Sequence, residues 1–383
     1  MNLKHVRAWF LPLIVTVVYA FEDELGWEGL RNEQLRSVPD DGPEESQTGE
    51  AMSTEVWQPE THGVALGQAV GLAVDSIGRL HVLHRGSRVW NMKSFDAKNV
   101  FNKRLGPIKE KTHLVIDGDT GDLVGQAKDN LFHMPHGLSI DHEDNVWITD
   151  VGLHQVFKFP MGSDEPSLVL GEKLVPGNDD SHFCKPTDVA VASNGEFFVA
   201  DGYCNGRIMK YSPDGKLLSQ FGHMDQGRDL KAGSLLVPHS LSLIEDWNLV
   251  CVADREHSRI QCFAAGLSEG EKEESGDEEE EGKEKKRSLS FHDMGRPLPV
   301  GTFVKMADDL GKVYALRHLD HVLYGVTNGN GQVPSELFLV DLENGKARTY
   351  RAGIVNPHAV AVAEDGAIFV AEMGPNKVVK ITL

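Results

Sequence analysis

Beyond its first twenty residues the sequence has no apolar run that crosses a bilayer, which takes about 20 residues as a helix. It has no long amphipathic helical pattern and no Asn-x-Ser/Thr triplet, so N-glycosylation is excluded. It also lacks a basic excess: the formal net charge is -20, which disfavours nucleic acid as a partner because a phosphate backbone repels it. Cysteine is sparse, with four in 383 residues. Four cysteines allow three pairings. Cys184 with Cys204 and Cys251 with Cys262 is the preferred set, because each pair brackets a predicted antiparallel strand pair.

The first twenty residues read as a secretory signal. Lys4 and Arg7 give a positive start, Ala8 to Val18 an apolar stretch, and Val18-Tyr19-Ala20 a cleavage site. The stretch is too short to span a membrane, and Pro12 weakens it as a helix. The expectation is a secreted chain with no membrane span after cleavage. An oxidising compartment then suits the disulfides. Residues 21–62 are polar, acidic and rich in Ser, Pro and Gly, and are expected to form a flexible pro-segment or linker.

What remains, residues 63–383, repeats itself. Residues 134–159, 185–211, 237–263 and 356–381 share one pattern: a proline, an apolar strand, a polar turn, and a second strand ending near Ala-Asp or Thr-Asp. A loop and a third strand follow. Pro135, Pro186, Pro238 and Pro357 are 51, 52 and 119 residues apart, and the long gap holds a further unit at residues 300–345. Another unit begins with Ala69–Val74 and Leu80–His84. Alternating apolar residues mark half-buried strands, and the Asp-Gly and Asn-Gly turns suit hairpins. The reading is an all-β, six-bladed β-propeller with NHL-like repeats. Residues 268–288 (SEGEKEESGDEEEEGKEKKRS) bury no core, and are expected to be a disordered acidic loop between the fourth and fifth units. Lys285-Lys286-Arg287 offers a basic processing site within it.

Histidine follows the key proline at His136, His239 and His358, in the second, fourth and sixth units, whereas the third unit has Thr187. Alternate blades of a six-bladed ring are related by threefold symmetry. If the first strands are innermost, three imidazoles converge on the axis. Three histidines with an open fourth position form the usual catalytic zinc set. The competing reading is three packing residues among 17 histidines. Tyr203, Arg85 and Arg255 follow second-strand ends or sit in the loop beside them. From their positions alone they read first as a packed core tyrosine and two loop arginines in salt bridges.

Four stretches resemble the lyase domain of peptidylglycine α-amidating monooxygenase: His84–Asp96 (HRGSRVWNMKSFD), MPHGLSIDHEDNVWITDVGLHQVFKF, FCKPTDVAVASNGEFFVADGYCNGRI and VPHSLSL with CVADREHSRIQCF. The resemblance spans residues 65 to 383 and implies a zinc-dependent peptidyl-α-hydroxyglycine α-amidating lyase. Such an enzyme releases a C-terminally amidated peptide and glyoxylate. Without the hydroxylating half, the chain looks like a stand-alone lyase, coupled to a separate monooxygenase and expected to be a monomer. The resemblance implies His136, His239 and His358 as zinc ligands and Tyr203 as catalytic base. Arg85 assists at that tyrosine, Arg255 is a second active-site arginine, and both suit a substrate carboxylate. It also implies calcium held by the backbone carbonyls of Leu72 and Leu138, a site weakened here because Ala359 stands where the family has Asp. Asn356 replaces a family methionine that lines the substrate pocket. Two rival functions are an inactive NHL propeller that binds peptides or glycans, and a calcium-dependent lactonase, which needs acidic residues at the histidine register.

Overall fold

A computed structural model describes residues 53–57, 64–227, 231–268, 298–307, 310–329, 333–343 and 345–383. The expected signal, the basic site at 285–287 and nearly all of the acidic insertion lie outside these residues. Among the described residues six four-stranded antiparallel sheets account for the fold, with one further two-residue strand pair, His223–Met224 against Ser234–Leu235. The innermost strands of blades 1 to 6 are Ala69–Val74, Pro135–Ile140, Pro186–Val191, Pro238–Ile244, Val313–Leu319 and Pro357–Val362. They pack side by side around the axis.

The expected half-buried alternation holds only at the rim. Outermost strands such as Leu123–Ala127 and Leu217–Phe221 alternate half-buried and exposed residues. The second strands Leu80–His84, Val146–Asp150 and Phe197–Asp201 are buried throughout, because a neighbouring blade covers each of their faces. The hydrophobic core is correspondingly divided into six interblade layers. Leu72, Val82 and Leu114 meet Ala361, Phe369 and Val378 between blades 1 and 6. Trp147 and Val156 meet Phe197 and Met209 between blades 2 and 3. Burying one such side chain contributes about 1.5–3 kcal/mol.

The linker boundary needs correction. Ser53–Trp57 pairs antiparallel with Lys377–Thr382, from Ser53 opposite Thr382 to Trp57 opposite Val378. It is the fourth strand of blade 6, so the ring closes with a strand from inside the segment 21–62.

Acidic residues that end the second strands hold the approach to the innermost ones. Asp150 accepts from the backbone N–H groups of His133, Met134, Gly152 and Leu153. Asp201 accepts from Cys184 N–H, Asp254 from Leu236 N–H and Glu372 from Val355 N–H. Both expected disulfides are present, Cys184–Cys204 and Cys251–Cys262.

Candidate active site

The residue before the key proline carries positive φ in three blades: Lys185 at 62°, Val237 at 59° and Asn356 at 47°. A residue before proline disfavours the helical regions, and a β-branched one resists positive φ most, so the surroundings impose this entry on Val237. The next two residues of blades 2, 4 and 6, proline and histidine, enter the innermost strand there. His136, His239 and His358 meet with ring centroids 4.7, 4.8 and 4.8 Å apart and ring planes 67–70° apart. All three are buried.

Each ring is fixed by the next blade. Nδ1 of His136 donates to Thr187 O at 2.9 Å, Nδ1 of His239 to Tyr314 O at 2.6 Å, and Nδ1 of His358 to Val70 O at 2.8 Å. Val70, Thr187 and Tyr314 occupy the histidine register in the three odd blades. The bonds fix one tautomer, with the proton on Nδ1 and the lone pair on Nε2, the outer-sphere arrangement of metal-bound histidines. Burial pushes His136 and His239 well below the ordinary imidazole value. The neighbouring imidazoles, with Arg85 and Arg255 beside His136 and Arg255 beside His239, act in the same direction. These two rings are therefore neutral, as ligands must be. One donor atom from each histidine lies within 4.8 Å of the others, a spacing that a single ion can bridge. The donor set fits zinc: three imidazoles, each held through Nδ1 by the next blade.

The tyrosine and both arginines converge on the same place. The Tyr203 hydroxyl is 2.9 Å from Nε2 of His136 and 3.3 Å from Nε2 of His239. Tyr203 itself has φ 42°, a left-handed conformation uncommon outside Gly, Asn and Asp. It follows Asp201-Gly202 at the end of a second strand, with the Cys184–Cys204 disulfide beginning at the next residue. The Arg255 guanidinium sits 5.2 Å over the Tyr203 ring and 4.9 Å over Tyr314. Arg85 donates from Nε to Pro135 O and from Nη1 to Gln68 Oε1, and lies 5.5 Å over Trp90. Trp90 packs against Tyr203 at 4.9 Å.

Several neighbours were not singled out from sequence. Trp90, Phe95 and Phe101 come from the long loop between the second and third strands of blade 1, the first two within the HRGSRVWNMKSFD stretch. Lys185 places its amine 4.2 Å over Phe95 and donates to Asn99 Oδ1; burial pushes it down to about 8. Tyr314 was hidden because blade 5 begins with valine in place of proline. Met373 Sδ lies 4.0 Å from Arg85 Nη1, and Met373 N–H donates to the carbonyl of Asn356. A methionine therefore reaches this site although Asn356 is not one.

The NHL repeat profile matches residues 183–211. The chain is 44% identical to a probable peptidyl-α-hydroxyglycine α-amidating lyase of Caenorhabditis elegans over 318 residues, covering 83% of each. It is 39% identical to the peptidyl-glycine α-amidating monooxygenase of Mus musculus, covering 85% of this chain and 33% of that one. A solved putative gluconolactonase superposes at TM-score 0.52 with 10% identity, over 87% of this chain and 92% of that chain, which speaks to fold alone. Identity and coverage of this extent place the chain in the peptidyl-α-hydroxyglycine α-amidating lyase family.

Proposed function

We propose that the protein converts peptides ending in α-hydroxyglycine into C-terminal amides and glyoxylate. The observation that carries the reading is the Tyr203 hydroxyl held between two imidazoles of a buried histidine triad, beneath the Arg255 guanidinium.

The reaction requires the hydroxyl of the substrate's terminal carbon to lose a proton and the adjacent C–N bond to break. The O–H electron pair becomes the carbonyl of glyoxylate, and the C–N pair stays on nitrogen, which takes up a proton as the amide. Tyr203, as phenolate, accepts the first proton and returns it to nitrogen, so the residue ends as it began. The positive charge of Arg255 favours negative charge on that oxygen. Arg85 and Arg255 suit the substrate carboxylate, because guanidinium pairs with it bidentately. Burial and the aromatic wall of Trp90, Phe95 and Phe101 exclude water. His136, His239 and His358 would hold zinc, which supplies Lewis-acid stabilisation of charge on oxygen.

Two disulfides support a working place in the oxidising secretory lumen, after removal of a signal at residues 1–20. The similarity to one third of the mouse monooxygenase supports coupling to a separate hydroxylating enzyme. We propose that the lyase acts on that enzyme's product as a monomer.

The test is glyoxylate release from an α-hydroxyglycine-extended peptide, with and without chelator and after zinc is restored. Chelator-sensitive release is the expected result. No release from the zinc-restored protein would overturn the lyase reading in favour of a propeller that only binds peptides.

A further inference from the structure

Below the histidine triad, Arg317 of blade 5 reaches across the channel. Its Nη2 donates to Leu138 O at 3.1 Å, and its Nη1 to Leu316 O at 2.7 Å and Leu241 O at 3.3 Å. The same Nη1 lies 3.3 Å from Asp188 Oδ2 and 3.4 Å from Ser240 Oγ. Every partner is an oxygen. Three are carbonyls from blades 2, 4 and 5, one is a carboxylate from blade 3 and one is the Ser240 hydroxyl of blade 4. Ser240 Oγ and Leu241 N–H donate to Asp188 Oδ2 in turn, and Leu316 N–H donates to Ser240 Oγ.

Oxygen-rich cages of this composition are what hard cations occupy. Here the cation is part of the chain. Leu138 O, the carbonyl expected to serve calcium, is committed to Arg317, and Ala359 brings no carboxylate to the opposite side. A divalent ion at Leu138 would face a guanidinium within hydrogen-bond distance of the same oxygen and be repelled by it. The residues therefore do not fit calcium.

We infer that Arg317 stands in place of a calcium ion as a resident cation, making this propeller calcium-independent. The residue is also well placed to hold the triad. Leu138 lies two residues beyond His136, Ser240 one beyond His239, and Asp188 one beyond Thr187, whose carbonyl fixes His136. Arg317 thus joins four blades at the level just beneath the imidazoles, where a bound ion would otherwise do so.

The experiment uses the zinc-loaded protein equilibrated with about 1 mM calcium, the range in which extracellular calcium modules fill. Metal content is measured after gel filtration, and Tm with and without calcium. The wild type is expected to retain far less than one calcium per chain, with Tm unmoved. Arg317→Ser combined with Ala359→Asp is expected to bind calcium and to gain about 2–4 °C in its presence. One calcium per wild-type chain, or a calcium-dependent rise in wild-type Tm, would overturn the inference. So would a folded double variant that ignores calcium. If the double variant does not fold, the wild-type arms decide alone. Neither readout depends on turnover, so failure of the lyase reading would leave them intact.

Discussion

The hydroxyl of Tyr203 lies 2.9 Å from Nε2 of His136, close enough to exchange a hydrogen bond with an atom that also faces the other two imidazoles. A base placed there removes a proton at the point where negative charge develops. Tyr203→Phe keeps the ring against Trp90 and removes only the oxygen. The expected outcome is unchanged zinc content with kcat lower by about 10²–10⁴. Full activity in this variant would show that another group takes the proton.

His239→Ala removes one of three donors and also breaks the bond to Tyr314 O. Zinc content is expected to fall well below one per chain, with turnover lost. His142→Ala, on an exposed turn, serves as the control and should change neither. Atomic emission on dialysed protein decides between them.

Arg255 sits over both Tyr203 and Tyr314, whereas Arg85 is bonded to Pro135 O and Gln68. Lysine retains charge but loses the planar fork. Arg85→Lys is expected to raise KM and Arg255→Lys to lower kcat, each by about 10–100-fold, for the loss of one charge-assisted bond. Steady-state kinetics with substrates that keep or lack the terminal carboxylate would separate the two. An Arg85→Lys defect that persists undiminished without the carboxylate would remove Arg85 from carboxylate binding.

Two buried histidines outside the triad make stability depend on pH. Nδ1 of His84 accepts from Gly67 and Gly86 N–H, and Nδ1 of His154 accepts from Lys185 N–H while its Nε2 donates to Asn99 O. A second proton would set donor against donor. Burial lowers both to about 4. An unfolded histidine titrates near 6.5, so between about 4 and 6.5 the unfolded chain binds more protons. Stability is therefore complete above that window and falls as pH drops through it, by about 2 kcal/mol per histidine at pH 5. Calorimetry should show Tm falling from pH 7 to pH 5, and more gently in His154→Gln. A slope identical to wild type would exclude His154 as a contributor.

The two disulfides should separate stability from catalysis. Cys184–Cys204 ends next to Tyr203, while Cys251–Cys262 joins neighbouring strands in blade 4. Replacing either pair by alanine is expected to cost about 2–4 kcal/mol in denaturant unfolding. Only the Cys184→Ala, Cys204→Ala protein should also lose kcat, because Tyr203 then loses its tether. Equal kcat in the two variants would detach the disulfide from the site.

The ring and the meeting of the three histidines were legible because both are repeats. A proline that opens each innermost strand carries the register, and His136, His239 and His358 share it. Other features carry no such mark. Tyr314 has the same register, but blade 5 opens with Val313. Arg317 interrupts an apolar strand, and only its reach to Leu138, Asp188 and Ser240 gives it meaning. Ser53–Trp57 is a short strand in an acidic stretch whose partner lies more than three hundred residues downstream, beyond any local pattern.

That pairing also bears on the order in which the molecule is made. The strand at Ser53–Trp57 leaves the ribosome before any blade exists, yet its partner Lys377–Thr382 is made only after the other five blades. Blades 1 to 5 have all their own strands and accumulate during translation, but blade 6 waits for Lys377–Thr382. An unpaired edge is exposed throughout that interval. A nascent or truncated chain is thus an open arc with a loose end at each side, prone to join another arc before it closes on itself.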